Sequence, residues 1–187
     1  MQNFIYQIKI SLKGSKPKIW RRVLIFPNVL LSDFHIIIQK VMGWENYHLH
    51  QFIHQKKYYC DEDHDDFWGF GDTNINYKKK KIKVFDLLKT EKDKMIYEYD
   101  FGDSWEHDIV LEKILPVEDT INYPICIAGK MNCPPEDCGG IWGYVDMLEA
   151  LKNPESKEHE GFVEWIGADF DPKYFNIDEI NQLLRFK

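Results

Sequence analysis

Tyr97-Glu98-Tyr99-Asp100-Phe101-Gly102-Asp103-Ser104-Trp105-Glu106-His107-Asp108-Ile109-Val110-Leu111-Glu112 is a reversal set between two alternating runs. Taking every second residue places Met95, Tyr97, Tyr99 and Phe101 on one face, and Trp105, His107, Ile109 and Leu111 on one face of the return strand. Gly102 offers the positive φ that a tight reversal needs. The stretch predicts a β-hairpin with Asp100 and Asp103 flanking its turn and His107 on the apolar face.

A hairpin of this kind needs a sheet, and the flanking chain supplies one. Phe4, Tyr6, Ile8, Ile10 and Leu12 alternate as a first strand, and Lys13-Gly14-Ser15-Lys16-Pro17 is turn chemistry. Residues 19–26 are apolar on both faces, which predicts a buried second strand. Arg21 and Arg22 interrupt it and predict an exposed end. Ser32 is the expected N-cap of a helix carrying Phe34, Ile37, Ile38, Val41 and Met42, with Gly43 as its stop. Residues 47–60 read as one strand, with His48, His50, Phe52 and His54 on one face.

Beyond it lie an acidic run at 61–66 and a lysine run at 78–81, read together as an exposed insertion. A short helix is expected around Val84, Leu87 and Leu88. After the hairpin, residues 123–140 are rich in Pro, Gly and Cys and read as irregular. A helix over 140–152 should turn Val145, Leu148 and Leu151 inward, and 162–167 reads as a short strand or packing segment. Asn176-Ile177-Asp178-Glu179 is a capping box that opens a last helix, with Ile177, Ile180, Leu183 and Leu184 inward. No repeat or boundary divides the chain. The fold expected is α+β: a single domain over 1–187, with a mostly antiparallel or mixed sheet built from hairpins, helices packed on it, and a β-grasp-like arrangement as one option.

With 187 residues, 44% of them hydrophobic, the chain can bury a substantial core. Its net charge of −7 disfavours nonspecific binding to nucleic acid. No apolar run nears the roughly 20 residues of a membrane helix, and Met1-Gln2-Asn3-Phe4-Ile5-Tyr6 carries no signal core. A cytoplasmic protein away from membranes is expected, with Cys60, Cys126, Cys133 and Cys138 as thiols or metal ligands.

Three groups of residues could carry chemistry. Asp100, Asp103 and His107 can ligate a divalent metal or exchange protons, or can simply satisfy a turn and a core. Cys126, Cys133 and Cys138 are spaced C-x6-C-x4-C, wider than the tight pairs of zinc ribbons, and Glu136 and Asp137 precede a helix start. His48 and His50 stand two apart on a strand, a usable metal geometry and also a common surface pattern. The metal candidates are therefore His48, His50, Asp103, His107, Cys126, Cys133 and Cys138, with a divalent ion as candidate cofactor. No phosphate loop, nucleophile elbow or His-Glu-x-x-His helix is present.

Several motifs resemble one family throughout the chain. They are Ile19-Trp20-Arg21-Arg22, the stretch from Phe34 to Gly43-Trp44, His48-Leu49-His50-Gln51-Phe52, Tyr99-Asp100-Phe101-Gly102-Asp103-Ser104-Trp105-Glu106-His107, Tyr123-Pro124-Ile125-Cys126, and Pro134-Pro135-Glu136-Asp137-Cys138-Gly139-Gly140 with Gly143-Tyr144. Their order and spacing resemble the plasmid pRiA4b ORF-3-like family, whose members also occur as passenger TnpR-type proteins of insertion elements. The resemblance implies a single α+β domain and leaves the activity open. It does not bring strand exchange with it, because recombinases neutralise the scissile phosphate with several arginines and this chain has only Arg21, Arg22 and Arg185.

Two functional readings follow. In the first, the protein is an accessory or binding module for a small molecule or a protein. Tyr99, Trp105, Trp142 and Tyr144 wall its pocket, and Asp100, Asp103, His107, Glu136 and Asp137 give it polar specificity. The second is a metal-dependent hydrolase or nuclease-like enzyme, in which at least three of these acids and histidines converge on one point.

Overall fold

A computed structural model describes residues 3–61 and 74–185. Most of the acidic run, and the aromatic-glycine stretch after it, lie outside the described residues. The elements are β1 (Phe4–Leu12), β2 (Trp20–Ile25), α1 (Leu31–Met42), β3 (His50–His54), β4 (Lys57–Cys60), β5 (Asn74–Asn76), α2 (Tyr77–Lys80), α3 (Val84–Leu87), β6 (Lys94–Tyr99), β7 (Trp105–Pro116), β8 (Ile125–Lys130), α4 (Gly140–Lys152), α5 (His159–Ile166) and α6 (Ile177–Arg185).

All eight described strands join one sheet, in the order β5-β4-β3-β6-β7-β1-β2-β8. Only the β4–β5 pair is parallel. The hairpin β6–β7 sits at the centre and pairs Met95 with Ile109, Tyr97 with His107 and Tyr99 with Trp105. All six of these side chains are buried, as the alternation requires. They meet Phe34, Ile38 and Val41 of α1 in a common core with Ile8, Ile10 and Val23 of the N-terminal hairpin. This is an α+β fold, and no described helix is long and apolar enough to cross a membrane.

Several elements depart from the expectations. Alternation stops at Tyr99: Phe101 is 42% exposed because the turn has already begun at Asp100. The left-handed residues of that turn are Asp100 (φ 57°) and Ser104 (φ 51°), not Gly102. The 47–60 segment is a hairpin, reversed at Gln55 and Lys56, both with positive φ. The helix over Leu31–Met42 has its N-cap at Leu30 rather than at Ser32, with no side-chain cap hydrogen bond. Residues Ile125–Lys130 form an edge strand because β2 offers them an open ladder. Residues His159–Ile166 are helical rather than extended. In α4 the buried face carries Tyr144, Met147 and Ala150, one step round from the expected stripe, and Val145 points outward. Leu183 likewise faces outward, while Leu184 is buried.

Arg21 corrects a further expectation. It is 3% exposed rather than marking an open end. Its Nε donates to Val41 O at 2.8 Å, and its Nη1 donates to Trp20 O and Lys130 O at 2.9 and 3.1 Å. Phe175 lies across the guanidinium at 5.0 Å.

Candidate functional site

The hairpin tip is folded by Asp100. In its left-handed conformation the Oδ1 accepts from Gly102 N at 2.9 Å, and the backbone carbonyl accepts from Ser104 N at 2.6 Å. Its own N–H donates to Leu49 O at 2.8 Å. That bond brings the connection after α1, and His48 with it, alongside the tip.

Tyr99, at the end of β6, joins a third segment to these two. Its hydroxyl accepts from Tyr47 N at 3.0 Å and from His48 N at 3.3 Å, and donates to Glu136 Oε1. Burial first, and the Glu136 hydrogen bond second, hold this phenol well above its ordinary range, so it remains a donor. Glu136 Oε2 accepts from Glu45 N at 2.9 Å. Trp44 stacks on Tyr99 at 5.1 Å and donates from Nε1 to Pro134 O at 3.0 Å. On the other side of the tip, Asp103 Oδ2 accepts from Gly139 N at 3.1 Å. Gly140, with φ 68°, sits so tightly that a Cβ there would lie 2.5 Å from Asp103 O. The turn and the proline-cysteine segment therefore meet through side chains from both.

The outcome is a notch. His48 Nδ1 lies 3.8 Å from Asp100 Oδ2, and Nε2 lies 3.1 Å from Asp137 Oδ1. The Nε2 approach is out of line for a hydrogen bond, leaving that shielded nitrogen unsatisfied. One ligand atom from each of His48, Asp100 and Asp137 falls within 4.8 Å of the others. Asp100 is buried and Asp137 exposed, so the notch opens to solvent on the Asp137 side. An imidazole with two carboxylates can hold a divalent ion or accept hydrogen bonds from an ammonium or guanidinium group. Beside it runs a cleft of about 460 Å³ lined by Trp44, Glu45, Tyr47, Glu136, Asp137 and Trp165, among others.

Other residues singled out by sequence lie elsewhere. Trp105 and Tyr144 are core residues, Tyr99 shows only its hydroxyl to the polar layer, and Trp142 is 80% exposed, so these four rings do not enclose an open cavity. His107 is fully buried against the edge of Trp44, with Nδ1 3.0 Å from Trp105 O, and desolvation pushes it down to about 4. It is not one of the notch residues, and neither are Asp103, bonded to Gly139 N, and Glu136, bonded to Tyr99 and Glu45 N. His50 is stacked on His35 at 3.5 Å and bonded through Nε2 to Tyr77 OH at 2.7 Å.

The cysteines do not converge either. All four are free thiols. Cys133 packs by Arg21 and Met42, while Cys126 and Cys138 bond backbone oxygens. Burial pushes Cys133 up to about 11 and Cys138 up to about 12, which disfavours the thiolates that a zinc site needs. Sequence reasoning passed over Glu45, Tyr47 and Trp165 as site residues. No local pattern marks them, because a cleft between separate segments makes them neighbours.

Comparison with known proteins places this architecture among relatives. The chain is similar to an uncharacterized protein, y4hQ, of Sinorhizobium fredii (strain NBRC 101917 / NGR234), with 32% identity over 180 residues, covering 95% of this chain and 89% of the relative. It is also similar to a crystal structure of a protein of unknown function, MM3350, from Methanosarcina mazei Go1. There the TM-score is 0.84 and the identity 41%, over 96% of this chain and 97% of the other. The family model for plasmid pRiA4b ORF-3-like protein matches residues 4–179. With nearly its whole length matched, this chain belongs to the plasmid pRiA4b ORF-3-like family.

Proposed function

We propose that this protein is an accessory binding module whose site is the notch of His48, Asp100 and Asp137, and that its ligand is cationic or rich in hydrogen-bond donors. The observation that carries this reading is the convergence of one imidazole and two carboxylates from three separate segments, with one imidazole nitrogen left unsatisfied. Glu136 adds negative charge, and Trp44 and Tyr47 give the adjoining cleft aromatic walls. The same reading takes 1–187 as one domain working in the cytoplasm, which the four free thiols support. The family's plasmid description supports an association with mobile elements.

A second reading is favoured by the 4.8 Å clustering of ligand atoms: a metal-dependent hydrolase or nuclease-like enzyme. A divalent ion held there would supply a Lewis acid. One titration separates the two. The 15N-labelled protein is followed through the His48 imidazole while agmatine, and separately Zn²⁺, is added. The binding reading expects a saturable response to agmatine that Asp137→Asn and Asp100→Asn each weaken at least about tenfold, since charged hydrogen bonds are worth ~1.5–3 kcal/mol. Asn at 100 keeps the turn acceptor and tolerates the left-handed backbone. A response to Zn²⁺ alone favours the metal reading, and silence toward both probes removes both.

A further inference from the structure

Three hollows lie side by side and share walls. The cleft beside the notch, about 460 Å³, reaches as far as Trp165. A second, about 360 Å³, is bounded by Glu158, Gly161, Phe162 and Trp165. The third, about 530 Å³, lies between Phe162 and the Asp146 and Glu149 side of α4. Trp165 belongs to the first two, and Phe162 and Glu158 to the last two, so the three adjoin along α5 as a trough interrupted by these side chains.

Its charge has one sign. Glu45, Glu136 and Asp137 line one end, and Asp146, Glu149 and Glu158 the other. Among the described residues, no lysine, arginine or histidine lines any of the three hollows, although the chain carries 24 Lys and Arg. Between the ends the surface is apolar. Phe162 and Trp165 stand with ring centroids 6.4 Å apart, and Trp165 is 48% exposed. Helix α5, which carries both, has no fully buried residue. An exposed tryptophan beside a half-buried phenylalanine on an amphipathic helix, bracketed by acids, has the make-up of an interface centre with a polar rim.

We propose that this trough docks a protein segment in which basic residues flank an apolar anchor, the anchor seated against Phe162 and Trp165 and the basic groups facing the acids at either end. Charge complementarity selects this occupant. A phosphate backbone would meet six carboxylates, and a purely apolar segment would bring no charge to complement them. One end abuts the notch, yet the inference rests on Trp165 and the α4–α5 acids and does not need the notch to bind anything.

The test is fluorescence anisotropy with a labelled peptide carrying paired lysines on both sides of a Leu-Phe anchor, using the full chain. Binding is expected at ~50 mM salt, and it should weaken as salt rises because the end contacts are exposed charges. Trp165→Ala should weaken it at least about tenfold, as loss of an aromatic anchor does. Glu149→Lys combined with Glu158→Lys should do the same, whereas Asp100→Asn in the notch should change it less than about twofold. Thermal melts check that each variant is folded. Failure of the peptide to bind overturns the proposal, as does binding that survives both the tryptophan and the charge-reversal variants. If the peptide binds while agmatine and Zn²⁺ leave His48 unmoved, the trough stands and the notch reading falls.

Discussion

Arg21 carries a charge into the interior and, among the described residues, meets carbonyl oxygens there rather than a carboxylate. One of them, Val41 O, is at the C-terminal end of α1, where the helix dipole is negative, and another, Lys130 O, is on the edge strand β8. A single planar group thus ties the helix to two strands. Arg21→Met keeps the bulk and strands these acceptors, so we expect a loss of about 3 kcal/mol or more in urea unfolding. Arg21→Lys should recover only part of this, because one ammonium cannot reach three acceptors in a fork. A loss below about 1 kcal/mol for the Met variant would mean that water takes over the carbonyls. The same buried cation explains why two adjacent arginines misread as a strand end: Arg22 does reach outward to Glu112, and nothing local distinguishes its neighbour.

Among the elements, α4 depends most on glycine. A Cβ at Gly143 would lie 1.9 Å from Cys138 O, and Gly143 N donates to Gly139 O at 3.1 Å to close the first turn. Gly143→Ala must therefore push the proline-cysteine segment away from α4 and so from the hairpin tip. We expect it to cost about 2 kcal/mol or more and to raise hydrogen exchange across 134–144. Gly161→Ala in α5 should act the opposite way, gaining up to ~1 kcal/mol, since a Cβ there meets nothing within 4 Å. If Gly143→Ala melts like the parent, the docking is looser than the contact implies. Elements decided by local rules are legible in the sequence: the β6–β7 alternation, the bounds Gly140–Lys152, and the Asn176 cap, whose Oδ1 accepts from Asp178 N at 3.0 Å. Elements decided by tertiary context are not. Strand β8 exists through β2, and Gln55-Lys56 turns without a glycine. His48, Asp100 and Asp137 stand out by residue type, but their segments are brought together by long-range bonds that no local pattern shows: Asp100 N–H to Leu49 O, the Tyr99 hydroxyl to Glu136, Trp44 Nε1 to Pro134 O and Gly139 N to Asp103.

Across the whole molecule, three imidazoles sit where α1 and the connection after it close over the sheet: His35 on α1, His50 on β3 and His107 on β7. His35 spans Asn46 Oδ1 at 2.6 Å and Tyr97 OH at 2.7 Å and so links the connection after α1 to β6. Desolvation pushes His35 and His107 each down to about 4. It also lowers His50, and the His35 ring stacked on it adds to the effect. In the unfolded chain each histidine titrates near ~6.5. Between ~6.5 and 4 the unfolded chain binds protons that the folded one refuses, so stability is complete above that window and drains as pH falls through it. Glu112, held low first by the Arg22 hydrogen bond, pulls the same way, but only in the carboxylate range below that of the histidines. Urea unfolding should therefore be level from about pH 8 to 7 and then lose about 1 kcal/mol or more per imidazole by about pH 5. His107→Phe removes one titrating ring and should flatten that slope by roughly one proton, whatever it does to stability at neutral pH. A curve that stays level from about pH 7 to 5 would mean that these rings accept protons in place. The seam beneath the notch would then be open to water rather than the dry joint that positions it.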